Sequence, residues 1–410
     1  MKILLRLLPA LFTILATLRA AESAGLRSLG FTILPTVQYA HTDFWFHTPS
    51  EQPPSLATVD EIAPRQRLDL VVLVNGFGVD AESKAHVTYD LVIHFPNGKT
   101  QAPPGSIVVI DQLKVDPRIL LFPRGIVSFS SDPGDPPGEY RFEVTVRDHV
   151  SGTTATKSAT VRVGETNAPL PQPKGADALA LLSDYYQHPR PRLALPTLTA
   201  FSHTPYALKK ADAHGALLGF YEQVLADNPW LLPQFRERLA TTTDLDERRA
   251  FALVLAYTQR NDPKFGDDLT GAASAALGAA RKEPMPFPSA EPTAGGQLDL
   301  LWGRFFASGR FEPIADLAAI VQRYAPYRGK LEEFKRRSPM SKNVPPEATK
   351  DVILGSALWS LGSNAHQHPL VRSYLLSLIQ TGDRTPEAKA ALHATLDWTP
   401  RSPASPSPRP

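Results

Sequence analysis

The chain of 410 residues contains no cysteine. That excludes disulfides, thiolate metal centres, a thiol nucleophile and a thiol-attached lipid. No Asn-x-Ser/Thr sequon is present. H-E-x-x-H, G-x-S-x-G and Walker sequences are missing as well, so no metalloprotease, α/β-hydrolase or P-loop signature is legible. Asn75-Gly76-Phe77-Gly78 offers two glycines without the G-x-G-x-x-G spacing, which reads as a turn rather than a phosphate loop. No cofactor is expected. An excess of one charge is lacking too. Forty-three Lys/Arg against forty-one Asp/Glu leave a formal +2, which gives no electrostatic argument for nucleic acid.

The first twenty residues stand apart. Lys2 precedes and Arg6 interrupts an apolar run from Ile3 to Leu18, and small residues follow at Ala20 and Ala21. This is the pattern of a secretory signal peptide over 1–20, cleaved after Ala20. Its removal takes three basic residues and no acid, so the formal charge becomes −1. Export without cysteine or sequon points to the periplasm or exterior of a Gram-negative bacterium. No later run is apolar enough to span a membrane.

What is there begins with alternation. In Gly138–Val163, Tyr140, Phe142, Val144 and Val146 alternate with polar residues. After a turn at His149–Gly152, Ala155, Ala159, Val161 and Val163 do the same. That is a hairpin of two half-buried strands. Upstream, Arg67–Val74, His86–Phe95, Ser106–Asp111, Ile119–Phe122 and Ile126–Ser130 read as strands between turn signals, with a further one at Phe31–Tyr39. His41–His47 (HTDFWFH) reads as a strand with His41, Asp43, Trp45 and His47 on one face. Two histidines and a carboxylate there could hold a metal or could be the wet face of an edge strand, and no metal is expected.

Seven to nine short strands fit an all-β sandwich, and Gly138-Glu139-Tyr140, Phe142, Val144, Val146 and the last strand resemble bacterial Ig-like domains. The resemblance implies that Tyr140 is a corner tyrosine and that Phe142 stands where antibody domains place a cysteine. It implies a fold over 21–165, with an N-terminal extension, and no activity.

A Pro-rich linker, 166–174, separates this region from an Ala/Leu-rich remainder, 175–398, read as an all-α domain. Helices are expected over Ala176–Gln187, Asp212–Asp227, Leu231–Ala240, 244–261, 267–282, Glu347–Leu361, Pro369–Gln380 and Pro386–Leu396, with His188–Pro196 a connector. Gln297–Tyr324 carries two helices joined by Ser308-Gly309-Arg310-Phe311, and resembles one tetratricopeptide-type hairpin. No 34-residue period recurs, so irregular, solenoid-like hairpins are expected. The Pro/Ser-rich 399–410 is expected to be a disordered tail.

Chemistry is sparse. Asp148, His149 and Ser151 share a turn too tight for a catalytic triad. His366 and His368 at i, i+2 point apart on a helix end, and Asp267-Asp268 suits a helix start. The charge distribution says more. Residues 21–170 carry twelve basic and seventeen acidic side chains, whereas 171–410 carry twenty-eight and twenty-four. Arg328, Lys330, Lys335, Arg336, Arg337 and Lys342 cluster as a possible partner-binding patch for an acidic protein or for the acidic β domain, or as a solvated helix face. A salt-sensitive contact between the two domains is therefore expected. The chain as a whole reads as a non-catalytic binding or scaffold protein of the envelope, with a protein partner. The alternatives are an envelope hydrolase, or a sugar-binding protein using aromatics such as Trp45.

Overall fold

The computed structural model describes residues 28–49, 56–165, 173–204, 214–284, 291–338, 343–381 and 383–397. The expected signal peptide, most of the 166–174 linker, Lys342 and the Pro/Ser-rich end lie outside them. The N-terminal half is β-rich and the C-terminal half helical.

Among the described residues nine strands form two sheets. β1 (Gly30–Thr36), β3 (Leu68–Asn75) and β7 (Val127–Phe129) run antiparallel in the order β1-β3-β7. The second sheet has the order β2-β9-β8-β4-β5, built from β2 (Glu61–Ile62), β4 (Lys84–His94), β5 (Thr100–Gln101), β8 (Gly138–Asp148) and β9 (Thr154–Val163), with β6 (Ile107–Lys114) also paired to β4. The hairpin read from the sequence is β8–β9, in register from Gly138↔Val163 to Arg147↔Thr154. Its Tyr140, Phe142, Val144 and Val146 are fully buried and share one core with Leu68, Leu70, Val72 and Val74 of β3. The period-two pattern therefore selects the face that meets the other sheet. The Tyr140 hydroxyl donates to the carbonyl of Pro136 at 2.8 Å, pinning the chain where it enters β8. Ile119–Phe122, expected as a strand, contributes a single bridge between Leu121 and Val74.

Among the described residues one helix, α1 (His41–Phe46), belongs to the N-terminal half. The described residues after it form α2 (Gly175–Ser183), α3 (Ala194–Ser202), α4 (Gly215–Asp227), α5 (Leu232–Thr241), α6 (Leu245–Thr258), α7 (Gly271–Ala280), α8 (Gly295–Ser308), α9 (Glu312–Tyr324), α10 (Lys330–Arg337), α11 (Pro346–Gln367), α12 (Pro369–Thr381) and α13 (Pro386–Leu396). Their limits follow local chemistry. Asp244 caps α6 by accepting the Glu247 N–H at 2.9 Å, and Thr385 caps α13 through the Ala388 N–H. Proline occupies the first turn of α5, α11 and α13, where its missing N–H costs nothing. Gly309 ends α8 at φ 68°, a left-handed conformation suited to glycine. α3 falls partly in the stretch read as a Pro-rich connector. Pro196 sits in its first turn, so it does not break the helix.

The helical half holds two apolar cores, and α8 contributes to both: Leu300 to one, Leu298, Leu301 and Phe305 to the other. The closest helix pairing joins α4 to α8. A Cβ on Gly219 would overlap the Leu300 carbonyl, and a Cβ on Gly303 that of Ala216. Glycine at these positions is what lets the two backbones touch. No helix among the described residues is long and apolar enough to cross a membrane.

Candidate functional site at the seam between the halves

The segment His41–His47 corrects the sequence reading. It is helical over His41–Phe46, and the residues it buries are His41 and Phe44, spaced i, i+3. Alternation over six residues fitted a strand equally well. The decision lies in tertiary packing, because Phe44 enters the core of the helical half beside Leu298 and Phe305. The three polar residues expected on one face separate. His41 turns into the β half. Asp43 accepts the backbone N–H of Phe311 at 2.9 Å, and His47 stacks on the Phe311 ring with centroids 3.8 Å apart. Among the described residues no group of three His, Asp or Glu side chains is placed to hold a metal.

His41 leads to a buried carboxylate that sequence reasoning missed. Asp69 on β3 is completely buried. Arg67 grips it with two parallel bonds, Nε to Oδ1 at 2.7 Å and Nη2 to Oδ2 at 2.6 Å, and Ser128 donates to Oδ1 at 2.6 Å. His41 Nε2 lies 3.2 Å from Oδ2, off the line of a straight hydrogen bond. Its Nδ1 accepts the Thr42 N–H at 2.9 Å, which places the ring proton of the neutral tautomer on Nε2, facing the carboxylate. Burial alone would raise the Asp69 pKa. The donors His41, Arg67 and Ser128 outweigh it, and the carboxyl is held below its ordinary value. The Arg67 guanidinium lies over the Tyr39 ring at 4.9 Å, while the Tyr39 hydroxyl donates to the Arg67 carbonyl at 2.9 Å. Burial first, and Asp69 second, push the Tyr39 phenol well above its usual pKa. The signal for this cluster was present as Asp69 inside the apolar run RLDLVVLV, with Arg67 on the same face two residues earlier.

This cluster backs α1 where it meets the helical half. The socket for α1 is the α8–α9 turn. The edge of the Phe44 ring lies over Gly309, where a Cβ would press on both Phe44 and Tyr186. Tyr374 donates to the Gly309 carbonyl at 2.8 Å and meets the Phe311 ring edge-on at 5.2 Å. Two glutamines also cross the seam: Gln38 donates to the Gln187 carbonyl at 3.3 Å and Gln66 to that of Pro189 at 3.2 Å. A cavity of about 350 Å³ opens beside these contacts, lined by Tyr39, Thr42, Asp43, Arg310, Phe311 and Glu312. Arg310 is held there by Asp227 at 2.8 Å. His41 and Asp69 are closed to solvent, so their pairing fixes the seam and offers no surface to a substrate.

On its outer side α1 carries an aromatic patch. Phe122 packs against Trp45 and Phe46, with centroids at 5.2 and 5.8 Å. Phe46 is 63% exposed, and Ile119 and Leu120, just before Phe122, are also exposed.

The remaining sequence candidates are placed as follows. Lys330, Lys335, Arg336 and Arg337 lie on α10, Arg328 precedes it, and Lys342 falls outside the described residues. Lys330 and Arg337 each pair with Glu333, and Lys335 with Glu332, all at 2.9 Å. α10 packs on α11, and Asp351 of α11 accepts the Leu331 N–H at 3.0 Å. Ser151 donates directly to Asp148 at 2.6 Å, and His149 bonds Thr88 at 2.9 Å, so the three form a turn and no relay. His368 is buried against Tyr186, whereas His366 is exposed. Asp268 pairs with Arg236, ahead of a helix that begins at Gly271.

No protein-family profile and no curated protein matches this sequence. Among solved structures, the chain has a weak likeness to a family 123 glycoside hydrolase from Clostridium perfringens, described for glycolipid glycan hydrolysis. The match has 13% identity and covers 46% of this chain and 36% of that one. The chain therefore spans little more than a third of that enzyme, at a TM-score of 0.19, and a likeness of that size carries no argument about activity.

Proposed function

We propose that the protein is an exported, non-catalytic binding protein of the bacterial envelope that recognises a protein partner. The observation that carries this reading is the patch around α1. Phe46, Ile119 and Leu120 are exposed beside Trp45 and Phe122, and Arg310 and Arg67 stand near the same seam. Exposed apolar clusters of this kind mark interaction sites, and aromatics with arginine are the residue types enriched at their energetic centres. The rigid backing of α1 favours binding, because little ordering entropy is left to lose.

The β half serves in this reading as an Ig-like module, supported by the Tyr140 hydroxyl bond to Pro136, the contact a corner tyrosine makes. The helical half serves as a solenoid-like stack of hairpins, supported by α8–α9 and α12–α13. Arg328, Lys330, Lys335, Arg336 and Arg337 form a second candidate surface, suited to an acidic partner. A photo-crosslinking residue placed at position 46 or at 335, in cells with an intact envelope, separates the two. The expected result is a discrete adduct from position 46 that Leu120→Asp abolishes. An adduct from 335 alone transfers the interface to α10, and none from either overturns the reading. N-terminal sequencing of the mature protein tests export, with a start near Ala21 expected.

A further inference from the structure

α11 packs with one face and leaves the other open. Ile353, Leu354, Ala357 and Leu361 enter the core it shares with α9, α12 and α13. On the opposite side Val352 is 44% exposed and Trp359 is 64% exposed. They stand seven residues apart, which is two turns or about 10.5 Å along the axis, so they share one strip. Between them, a Cβ on Gly355 would meet no atom of the described residues within 4 Å. Glycine is a poor helix former, and packing within the described fold does not call for it here. It leaves a trough beside the indole.

The segment that follows the described fold has a matching period. In residues 398–410, Pro400, Pro403 and Pro406 recur at every third position. In a polyproline II helix, with three residues per turn and a rise of about 3.1 Å, they fall on one edge about 9.3 Å apart. That is close to the spacing of Val352 and Trp359, and proline-rich segments of this kind dock on aromatic-lined grooves. The segment also starts in the right place. Arg372, in the first turn of α12, donates to the Leu396 carbonyl at 2.8 Å, and α12 begins two residues after α11 ends. The chain therefore leaves α13 close to the C-terminal end of α11. From Gln367 back to Val352 is about 22 Å of helix, and residues 398–410 in polyproline II span about 40 Å.

We propose that residues 398–410 fold back along the open face of α11, with Pro403 against Trp359 and Pro406 against Val352. A strip of two apolar side chains is small beside the roughly 800 Å² per partner that a stable dimer buries. A tethered segment needs less, because it meets its site at an effective concentration of order millimolar, and an affinity of roughly 0.1 mM fills it. The contact is independent of the α1 patch, and neither proposal depends on the other.

The sequence lacks cysteine, so a pair introduced by mutation is the only thiol pair in the protein. Ser356→Cys with Ala404→Cys, in the full chain under mild oxidation, should close an intramolecular disulfide. The comparison pair is Ala390→Cys with Ala404→Cys, at an exposed position on α13. An unattached segment would close this shorter loop faster. Docking on α11 should reverse the order and make the Ser356 pair about tenfold faster or more. Trp359→Ser, at an exposed position, should slow the Ser356 pair about tenfold or more, as expected on removing a central aromatic anchor. Pro403→Gly combined with Pro406→Gly should slow it likewise, and changes no residue of the described fold. A faster Ala390 pair, equal rates for the two pairs, or an unchanged rate in Trp359→Ser or in the double proline variant would each overturn the proposal. Disulfides formed between chains and lost on dilution would overturn it as well, and would give the strip to a second copy.

Discussion

Phe44→Ala tests whether α1 holds the two halves together. Phe44 is 3% exposed, and the core it fills belongs to the other half of the chain. Truncating a buried phenylalanine costs about 3–5 kcal/mol in transfer and cavity terms. Here that loss falls on the docking of the halves, because the β core contains no part of the ring. Cleaving wild-type protein between residues 166 and 172 should leave two pieces that co-elute in gel filtration. The pieces of Phe44→Ala should separate, since about 3 kcal/mol corresponds to more than a hundredfold in affinity. Salt gives a second readout. Surface ion pairs are screened at 1 M, where the Debye length is about 3 Å, but the seam rests on an apolar side chain and buried hydrogen bonds. The radius of gyration of the intact wild type should therefore be the same at low and high salt, contrary to the expectation drawn from net charges alone. Cleaved Phe44→Ala pieces that still co-elute, or wild-type pieces that part in salt, would refute the argument.

Gly219→Ala should destabilise the helical half by about 1–3 kcal/mol or more, read as a lower urea midpoint, because its Cβ meets a backbone carbonyl that cannot rotate away. Asp69→Asn should cost about 3–5 kcal/mol at neutral pH by leaving Arg67 half-buried without its charge partner. Asp69 has a lowered pKa in the folded state, so its contribution is present above the unfolded value near 3.9 and is lost as pH falls through the folded value. The variant's acid-unfolding curve should accordingly be flatter than the wild type's in that window. Burial lowers the His368 pKa, so the folded state resists its protonation, and wild-type stability should begin to fall below about pH 6.5, the unfolded value. His368→Leu should remove that part of the pH dependence in thermal melts.

Much of the fold was legible because it is locally encoded. The β8–β9 alternation gave the buried face and the turn at Gly152, and the α8–Gly309–α9 hairpin was readable from its apolar spacing and its glycine. What escaped depends on distant neighbours. α1 looked like a strand because nothing within HTDFWF reveals that Phe44 will enter a core built from residues near 300 and 370. α3 was hidden by prolines that mark a connector unless they fall in a first turn. Asp69 read as one polar interruption in a buried strand, and besides the nearby Arg67 the groups that make it tolerable, His41 and Ser128, come from α1 and β7. The chemistry-bearing residues at the seam are thus individually ordinary in sequence and become a cluster only through topology.

The α4–α8 pairing sets a timetable for making this protein. α4 is complete at residue 227, but the surface that covers its glycines and leucines is not finished until residue 308. At about 5–20 residues per second the ribosome takes on the order of several seconds to supply the missing helix. Throughout that interval Leu217, Leu218, Phe220 and Tyr221 lack part of their final cover. A chain stopped after α7 would keep that surface open permanently, so shortened forms of the helical half should need α8 to stay soluble, however many of the earlier helices they retain.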